Sequence, residues 1–512
     1  MAQGHIVSGS RKLGTEALQE RAARAASGFE QLGVGAGDTV VLYLRNDFAL
    51  IEASLAAGMV GAYPVPANWH FTAEEAAYLF QDTGAKVIVV HADLLEAIES
   101  AIPADAAVLV VSTPPEVQAA YRIAARGATA PSRPEWDAWV ASFPARDKPP
   151  VPAPGTMIYT SGTTGRPKGV RRLQPTAAQS RLATHVWSST FGFDRIEPSS
   201  LVTVVTGPMY HSAPNSYGIL AARMGGTVIL QPRFDALELL ALVERHRVTH
   251  LHMVPIMFNR LLKLDASERE RWDLSSLQFV IHSAAPVSPL VKREMLQWWG
   301  PVIFEYYGTS ETSILASCGP QEWLEHPGTV GKPLPDVDLK IFTDDPGAGS
   351  AAPGPIGART AQRAGFTYHR DDAKRERASR DGYFLTGDIG YLDADGFLFL
   401  CDRATDMIIS GGVNIYPAEI EAELHKMPGV KDCAVFGIPD EEFGESICAV
   451  IETPDGAAIG ADDVKSYLRG RLAGYKVPRR VEFGRDLPRE DSGKIFKRKL
   501  RAPYWAGTGR TI

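Results

Sequence analysis

Residues 159–169 read Tyr-Thr-Ser-Gly-Thr-Thr-Gly-Arg-Pro-Lys-Gly, a run of glycines and hydroxyl side chains that ends in a lysine. Gly162 and Gly165 have no Cβ, so the main chain can curl closely around an anion and present successive N–H groups to it. Lys168 adds a mobile positive charge. Hydroxyl donors come from Thr160, Ser161, Thr163 and Thr164. The composition therefore predicts a loop that binds phosphate groups.

The apolar residues at 157–159 predict a strand that delivers this loop, an arrangement by which other folds hold triphosphates. A Walker loop, however, needs Gly-Lys-Ser/Thr at the start of a helix. Here Pro167 precedes the lysine and Gly169 follows it, so the lysine does not open a helix. A surface linker can have the same composition, but linkers rarely lie between an apolar strand and a single lysine.

Strands alternate with helices along the chain, which predicts parallel sheets covered by helices on both faces. The predicted strands are 40–44, 86–90, 228–230 and 249–254, and the predicted helices are 18–32, 48–57 and 237–245. Segment 111–154 is rich in proline and alanine and predicts surface loops. The chain is therefore predicted to have an α/β fold.

Four further motifs follow the loop in a fixed order. They are Tyr-Gly-Thr-Ser-Glu at 307–311, Thr-Gly-Asp at 386–388, Asp-Arg at 402–403 leading into Ser-Gly-Gly-Val-Asn-Ile-Tyr-Pro-Ala-Glu at 410–419, and Pro-Arg-Glu-Asp-Ser-Gly-Lys at 488–494. Together with the loop they resemble the acyl-adenylate-forming superfamily, which includes acyl-CoA synthetases, luciferases and peptide-synthetase adenylation domains. The segment 33–44 also resembles the family's opening strand.

The resemblance implies an ATP-dependent acid–CoA ligase. A carboxylate is a poor electrophile, so its oxygen first attacks the α-phosphate of ATP, which gives an acyl-adenylate and pyrophosphate, and the thiol of CoA then displaces AMP. The implied architecture is a large adenylation domain of stacked, helix-covered sheets over residues 1–402 and a small, mobile α+β lid domain over residues 403–512. The implied cofactors are ATP, Mg²⁺ and coenzyme A.

The resemblance also implies roles for individual residues. Lys168 and the loop would hold the β- and γ-phosphates, and Glu311, assisted by Thr160, would bind Mg²⁺, which takes carboxylate and phosphate oxygens. Lys494 would bridge the α-phosphate and the substrate carboxylate. The lid would then turn about a hinge within 402–405, where Thr405 replaces the Asp or Lys of most relatives.

The remaining nucleotide and CoA contacts follow from the same motifs. Tyr307 would stack on adenine, with Ala284 and Ala285 on the other side, and Asp388 would accept hydrogen bonds from the ribose, with Arg403 nearby. The other implied contacts are Gly308, Thr309 and Ser310 beside the nucleotide, and Gly411 and Gly412 at the thiol channel. Lys476 and the basic residues near it could bind the CoA phosphates, although for most of them a solvated face is an equal alternative.

The expected acyl pocket is lined by small residues, with His211 as a gate. Asn215 and Ser216 could contact an oxygen on the substrate tail, although polar residues at a pocket mouth are commonly only solvated. Acetate-specific relatives carry tryptophan where this chain has Gly308. No Arg or Lys is placed to neutralise a second carboxylate. We therefore predict a monocarboxylic acid with a medium or long aliphatic chain or an aromatic ring.

Composition excludes several other classes. The 512 residues are 45% hydrophobic and carry 53 basic against 60 acidic side chains, a net charge of −7, so nucleic acid is not an expected partner. The four cysteines are scattered, which favours reduced thiols. His250, His252 and His282 are interpreted as ordinary strand residues rather than metal ligands. Neither a signal peptide nor an apolar run of about 20 residues is present, so we expect a cytoplasmic protein without an integral membrane segment.

The strand at 354–357, the function and the oligomeric state stay open at this stage. Residues 354–357 read Gly-Pro-Ile-Gly where relatives have Gly-Glu-Ile, which puts an edge strand in doubt. The basic residues 497–499 are interpreted as solvated charges. Alternatives to a CoA ligase are an adenylating enzyme that loads a carrier protein or oxidises its adenylate, and a nucleotide-binding protein without catalysis. A homodimer is an open alternative to a monomer.

Overall fold

The computed structural model describes residues 4–124, 133–149, 151–160, 167–343, 351–403, 406–410, 413–454, 459–489 and 495–506. The helices are α1 Thr15–Gln31, α2 Phe48–Met59, α3 Ala73–Thr83, α4 Ala92–Ile98, α5 Pro115–Tyr121, α6 Trp136–Ala141, α7 Ala177–Thr190, α8 Ser212–Arg223, α9 Ala236–His246, α10 Pro255–Leu262, α11 Ala266–Glu270, α12 Pro289–Trp299, α13 Pro320–Glu325, α14 Asp372–Arg377, α15 Pro417–Leu424, α16 Ala461–Arg469 and α17 Lys497–Trp505.

The strands are β1 His5–Ser8, β2 Arg11–Gly14, β3 Thr39–Tyr43, β4 Tyr63–Pro66, β5 Val87–His91, β6 Ala107–Val111, β7 Ile158–Thr160, β8 Lys168–Arg172, β9 Val202–Val205, β10 Thr227–Leu230, β11 His250–Met253, β12 Phe279–His282, β13 Ile303–Thr309, β14 Ser313–Cys318, β15 Thr329–Pro333, β16 Asp338–Ile341, β17 Gly354–Arg359, β18 Phe366–Tyr368, β19 Ser379–Arg380, β20 Tyr383–Leu392, β21 Leu398–Arg403, β22 Ile408–Ser410, β23 Val413–Ile415, β24 Asp432–Asp440, β25 Gly444–Glu452 and β26 Arg480–Gly484.

The chain folds into two compact units. The first comprises Met1–Ala284, Val302–Leu315 and Thr360–Ala378, and the second comprises Ala285–Pro301, Ala316–Arg359 and Ser379–Ile512. This division does not coincide with the boundary predicted at residue 402, which stays a prediction. No helix of the described residues is long and apolar enough to cross a membrane.

The first unit contains two parallel sheets. One has the strand order β13-β12-β11-β9-β10-β1, with β2 antiparallel at its edge, and the other has the order β4-β3-β5-β6. Strands such as Thr-Val-Val-Leu-Tyr in β3 are buried along their whole length, because helices cover both faces of a parallel sheet. The predicted α/β class is confirmed, and the predicted helices and strands agree with the observed bounds to within a few residues.

A smaller antiparallel sheet of the first unit, β18-β8-β7, carries the predicted phosphate-loop residues. Thr160 is paired with Lys168 in the ladder between β7 and β8, so the two ends of the loop are held side by side. The loop itself, residues 161–166, lies outside the described residues. β18 pairs with the other edge of β8, with Tyr368 opposite Val170.

The second unit contains an antiparallel sheet in the order β16-β17-β20-β21-β15 and a smaller sheet in the order β23-β22-β25-β24, with β26 on β25. Helices α15 and α16 pack on the smaller sheet around a core that includes Ile408, Ile420 and Val464. The four cysteines form no disulfide, as predicted, and all but Cys401 are buried.

The doubt about an edge strand at 354–357 is resolved in favour of a strand. β17 forms despite Pro355, because the register against β20 shifts between Pro355 and Gly357, and the Pro355 carbonyl accepts from the Phe342 amide at 2.9 Å. Position 354 requires glycine, because a Cβ there would lie only 2.2 Å from the Phe342 carbonyl oxygen.

The prediction of surface loops over 111–154 is wrong for part of this segment, since α5 and α6 form there. Trp136 in α6 is 1% exposed and donates from Nε1 to Glu52 at 2.7 Å, and Arg21 pairs with the same carboxylate at 2.6 Å. A buried carboxylate is tolerated only when it is paired in this way. The spacing of Trp136, Trp139 and Val140 is the helical signal that the composition concealed.

We expect Trp136→Ala to lower the free energy of unfolding by about 3–5 kcal/mol, because it leaves a cavity and removes a donor from Glu52. Urea unfolding followed by circular dichroism measures the change. Trp139→Ala, at a half-buried site on the same helix, is the control and should cost less. Equal losses in the two variants would contradict a special role for the Trp136–Glu52 contact.

The interpretation of residues 497–499 as solvated charges is wrong for Lys497. Its ammonium lies 2.8 Å from Glu421 and its side chain is only 18% exposed. Although burial alone would lower it, the carboxylates of Glu421 and Asp402 raise the pKa of Lys497. Lys497 therefore ties α17 to α15 within the second unit.

Candidate adenylation site

Lys168 begins β8 in the first unit, beside Thr160. Its ammonium lies 3.9 Å from the Asp371 carboxylate, and both side chains remain partly exposed. Thr160 and Lys168 are both half-buried, the first at the end of β7 and the second at the start of β8. Ser161, Gly162, Thr163, Thr164 and Gly165 lie outside the described residues.

Glu311 lies in the turn between β13 and β14. The Tyr368 hydroxyl donates to Glu311 Oε1 at 3.0 Å, and Arg172 donates to the main-chain carbonyls of Ser310 at 2.7 Å and Glu311 at 2.5 Å. Burial, and then the neighbouring Glu311, raise the pKa of the Tyr368 phenol, so it remains a donor. The half-buried carboxylate and the Thr160 hydroxyl are oxygen donors of the kind that Mg²⁺ takes.

The sequence reasoning missed Arg172 and Tyr368. Arg172 is four residues after Lys168 on β8, and residues at even spacing on a strand share a face. That periodicity could have linked Arg172 to the loop lysine. Tyr368 is far away in sequence, and only the pairing of β18 with β8 brings it to Glu311.

Tyr307 and Ala284 have features that suit their predicted roles beside the nucleotide. Tyr307 lies near the end of β13 and is 8% exposed. Ala284 has a φ of +74°, a conformation that is strained for a residue with a Cβ and that concentrates in ligand-binding loops. Thr309 uses its hydroxyl within the turn, where it accepts from the Thr312 amide at 3.1 Å. Ala285 belongs to the second unit.

Gly308 lies close to the main chain of β14, and its predicted place at the floor of the acyl pocket stays a prediction. A Cβ at this position would lie 2.1 Å from the Ser313 carbonyl oxygen and 2.9 Å from the Ile314 Cα. A larger residue would therefore meet the main chain of β14 before it filled any pocket. The glycine is required by the close approach of the two strands that carry Glu311.

We expect Gly308→Ala to lower kcat/KM by a similar factor for propionate and for octanoate, because it displaces the turn that carries Glu311. Measuring both acids against the parent enzyme tests this, and a loss confined to octanoate would instead support the predicted place of Gly308 at the floor of the acyl pocket. Gly14→Ala is the control, since no heavy atom lies within 4 Å of a Cβ there.

The predicted substrate contact of Asn215 is not supported by its surroundings. The side chain is 1% exposed, its oxygen accepts from Thr156 at 3.0 Å and its nitrogen donates to the Met209 carbonyl at 2.8 Å. Both ends of the amide therefore serve the fold. Ser216 is half-buried on α8, and His211 precedes α8 with its ring 4.5 Å from that of Tyr210.

The strand histidines are buried in the first unit. Burial lowers the pKa of His250 and of His252 to about 4, so both rings are neutral. His282 has a carboxylate beside it, since its Nε2 lies 3.4 Å from Glu305. Within the described ranges, a potential metal-binding group forms elsewhere, from His326, Asp393 and Asp395.

In the second unit, Asp388 and Arg403 face each other across β20 and β21, and their side chains form an ion pair at 3.1 Å. The carboxylate is mostly buried, whereas the guanidinium is about half exposed. Lys476 donates to both Glu419 oxygens at 2.7 Å. Gly411, Gly412 and Lys494 lie outside the described residues.

Comparison with known proteins identifies the class. The family model for the AMP-binding enzyme matches residues 3–359, and that for the AMP-binding enzyme C-terminal domain matches residues 419–494. The chain therefore belongs to the AMP-binding enzyme family. This confirms its predicted place in the acyl-adenylate-forming superfamily, with a large N-terminal and a small C-terminal domain, and the expectation of an AMP-forming acyl-CoA synthetase.

Two curated relatives and one solved structure illustrate the similarity. A feruloyl-CoA synthase from Amycolatopsis is 33% identical over 95% of this chain and 93% of its own length. The long-chain-fatty-acid–CoA ligase FadD13 of Mycobacterium tuberculosis is 31% identical over 94% and 91%. ATP-bound MatB from Rhodopseudomonas palustris is 28% identical, with a TM-score of 0.84 and coverage of 98% and 96%.

Proposed function

We propose that this enzyme joins a monocarboxylic acid with a medium or long aliphatic chain or an aromatic ring to coenzyme A. The observation that carries the proposal is the arrangement around β8. One short sheet holds Thr160 beside Lys168. Its strands also carry Arg172 and Tyr368, the two donors that bind the turn bearing Glu311. This arrangement supports binding of a triphosphate with its metal ion.

In the first half-reaction, Lys168 and the loop amides would hold the β- and γ-phosphates, and Lys494 would bridge the α-phosphate and the acid. Glu311 and Thr160 would hold Mg²⁺, which supplies positive charge that offsets the negative charge of the phosphates. Both reactants are anions, so preorganised positive groups are the main source of rate enhancement. Asp388 would receive hydrogen bonds from the ribose.

In the second half-reaction, the thiol of CoA would attack the acyl carbon along a channel beside Gly411 and Gly412, and AMP would leave. Lys476 would bind the CoA phosphates only after it breaks its hydrogen bonds to both Glu419 oxygens. An anionic phosphate can compete for this ammonium, because the ion pair is partly exposed and so contributes little.

The names of the relatives support both kinds of acid, since one acts on an aromatic acid and one on long-chain fatty acids. We propose a cytoplasmic location, and light scattering would decide between a monomer and a homodimer. The carrier-protein and non-catalytic alternatives are not favoured by relatives that are named as CoA ligases.

A single assay tests the function. The enzyme is incubated with ATP, Mg²⁺, CoA and a panel that contains acetate, octanoate, palmitate, benzoate, a cinnamate-type acid and a dicarboxylate. We expect thioester and AMP with the larger monocarboxylic acids. Adenylate without thioester would favour the carrier-protein alternative, and no ATP–pyrophosphate exchange with any acid would contradict the proposal.

A further inference from the structure

We propose that Arg172 and Tyr368 are positioning residues that hold Glu311 in the geometry needed to bind the metal–ATP complex. The inference rests on the proposed function for the role of Glu311. It concerns two side chains that touch Glu311 or its main chain and do not themselves act on the acid.

Arg172 acts on the main chain. Its two terminal nitrogens donate to the carbonyl oxygens of consecutive residues, Ser310 and Glu311, at 2.7 and 2.5 Å. The planar guanidinium fork can satisfy two such acceptors at once, whereas an ammonium is a point charge that cannot reproduce both directions. Arg172 therefore fixes the turn at the residue that bears the carboxylate.

Tyr368 acts on the side chain. Its hydroxyl donates to Glu311 Oε1 at 3.0 Å, and its ring is 5% exposed, edge-on to Phe366, with the Lys374 ammonium 4.3 Å from the ring centroid. Packing on the ring holds the hydroxyl in place. One carboxylate oxygen is thus oriented by a group that is itself held by its neighbours.

The two donors come from adjacent strands of one sheet, because β18 pairs with the β8 strand that begins with Lys168. The same sheet therefore links the phosphate-loop lysine to the carboxylate. Mg²⁺ requires nearly ideal octahedral geometry, so a carboxylate that rotates freely binds it less well. Partners that orient metal ligands typically contribute about 10- to 100-fold to metal affinity.

The neighbouring Arg171 offers a matched control. It precedes Arg172 on β8 but faces the other side of the sheet, where its guanidinium lies 4.9 Å from the Tyr63 ring centroid. Tyr383, on β20, is the control for the loss of a hydroxyl, since it donates to Asp338 on β16 at 2.8 Å. Neither residue belongs to the proposed site.

The test uses Tyr368→Phe, Arg172→Lys, Glu311→Gln and the controls Arg171→Lys and Tyr383→Phe in the full chain. Electron paramagnetic resonance of free Mn²⁺ measures the affinity of Mn²⁺ for each protein saturated with ATP, without acid. ATP–pyrophosphate exchange is then measured as a function of Mg²⁺ concentration. Thermal unfolding shows whether each variant is folded.

We expect Tyr368→Phe and Arg172→Lys to weaken Mn²⁺ binding about tenfold, and saturating Mg²⁺ to restore most of the exchange rate. Glu311→Gln should bind Mn²⁺ weakly without such rescue, and both controls should match the parent. The inference is overturned if Tyr368→Phe and Arg172→Lys fold and bind Mn²⁺ like the parent. A parent that binds Mn²⁺ and ATP but exchanges no pyrophosphate would contradict the proposed function alone, because metal affinity still decides the inference.

Discussion

Lys494→Ala is expected to lower the rate of adenylate formation by roughly 10²- to 10³-fold, which is the typical effect of removing one preorganised group that stabilises a transition state. Thioester formation from a supplied acyl-adenylate should remain within a few-fold of the parent. The reason is that the lysine would act on the α-phosphate and the acid, and the second half-reaction forms no bond to phosphorus. ATP–pyrophosphate exchange measures the first step, and CoA with synthetic adenylate measures the second.

Lys499→Ala is the matched control for this experiment. Lys499 is in α17, its side chain is exposed, and its ammonium lies 5.0 Å from the Phe496 ring centroid. It should change neither half-reaction. Equal losses of both half-reactions in Lys494→Ala would contradict the assigned role and would point to a general defect of the C-terminal segment.

The sequence predicted the class of fold and the family because both depend on local patterns, whereas the roles of the individual site residues stay predictions. Buried strands such as β3 and β5 are short β-branched runs, and the phosphate loop is a contiguous motif. Thr160 ends β7 and Lys168 begins β8, and the two residues are paired in the ladder between these strands. Glycine-containing motifs in a fixed order identify the family, although residues 161–166 of the loop lie outside the described residues.

What the sequence could not show are contacts between distant segments. Tyr368 reaches Glu311 from 57 positions away, and no local pattern marks it as a partner. Asn215 has a polar side chain that would suit a ligand contact. In the structure, however, its amide oxygen accepts from Thr156 and its amide nitrogen donates to the Met209 carbonyl. The polar character of a side chain is visible in a sequence, but whether the fold has already used it is not.

Gly308 and Lys497 show the same limit in other ways. The sequence shows Gly308 only as a small residue, and the structure adds that a Cβ there would lie 2.1 Å from the Ser313 carbonyl oxygen. Lys497 is one of several basic residues near the end of the chain, and only the approach of α17 to Glu421 makes it different. Steric space and burial are properties of the packed chain.

The predicted hinge is bounded by well-anchored residues. Asp402 accepts hydrogen bonds from the Arg403 amide at 2.7 Å and from the Ala418 amide at 2.9 Å, so the chain is fixed up to this point. Beyond it, the amides of Asp406 and Met407 both donate to the Arg403 carbonyl, at 3.0 and 3.1 Å. Ala404 and Thr405 lie outside the described residues, between these two anchors.

Thr405→Pro is expected to block thioester formation while adenylate formation continues. Proline fixes its own φ and restricts the residue before it, so a segment that must rotate between the two half-reactions becomes stiff. We expect a loss on the order of 10²-fold in the second step, since a small misplacement of reacting groups can cost that much. Adenylate should accumulate on the enzyme, which rapid quench with radiolabelled ATP measures. Thr405→Gly removes the same side chain but leaves the backbone free, so it should turn over like the parent. If Thr405→Pro also turns over normally with CoA, rotation does not take place at this residue.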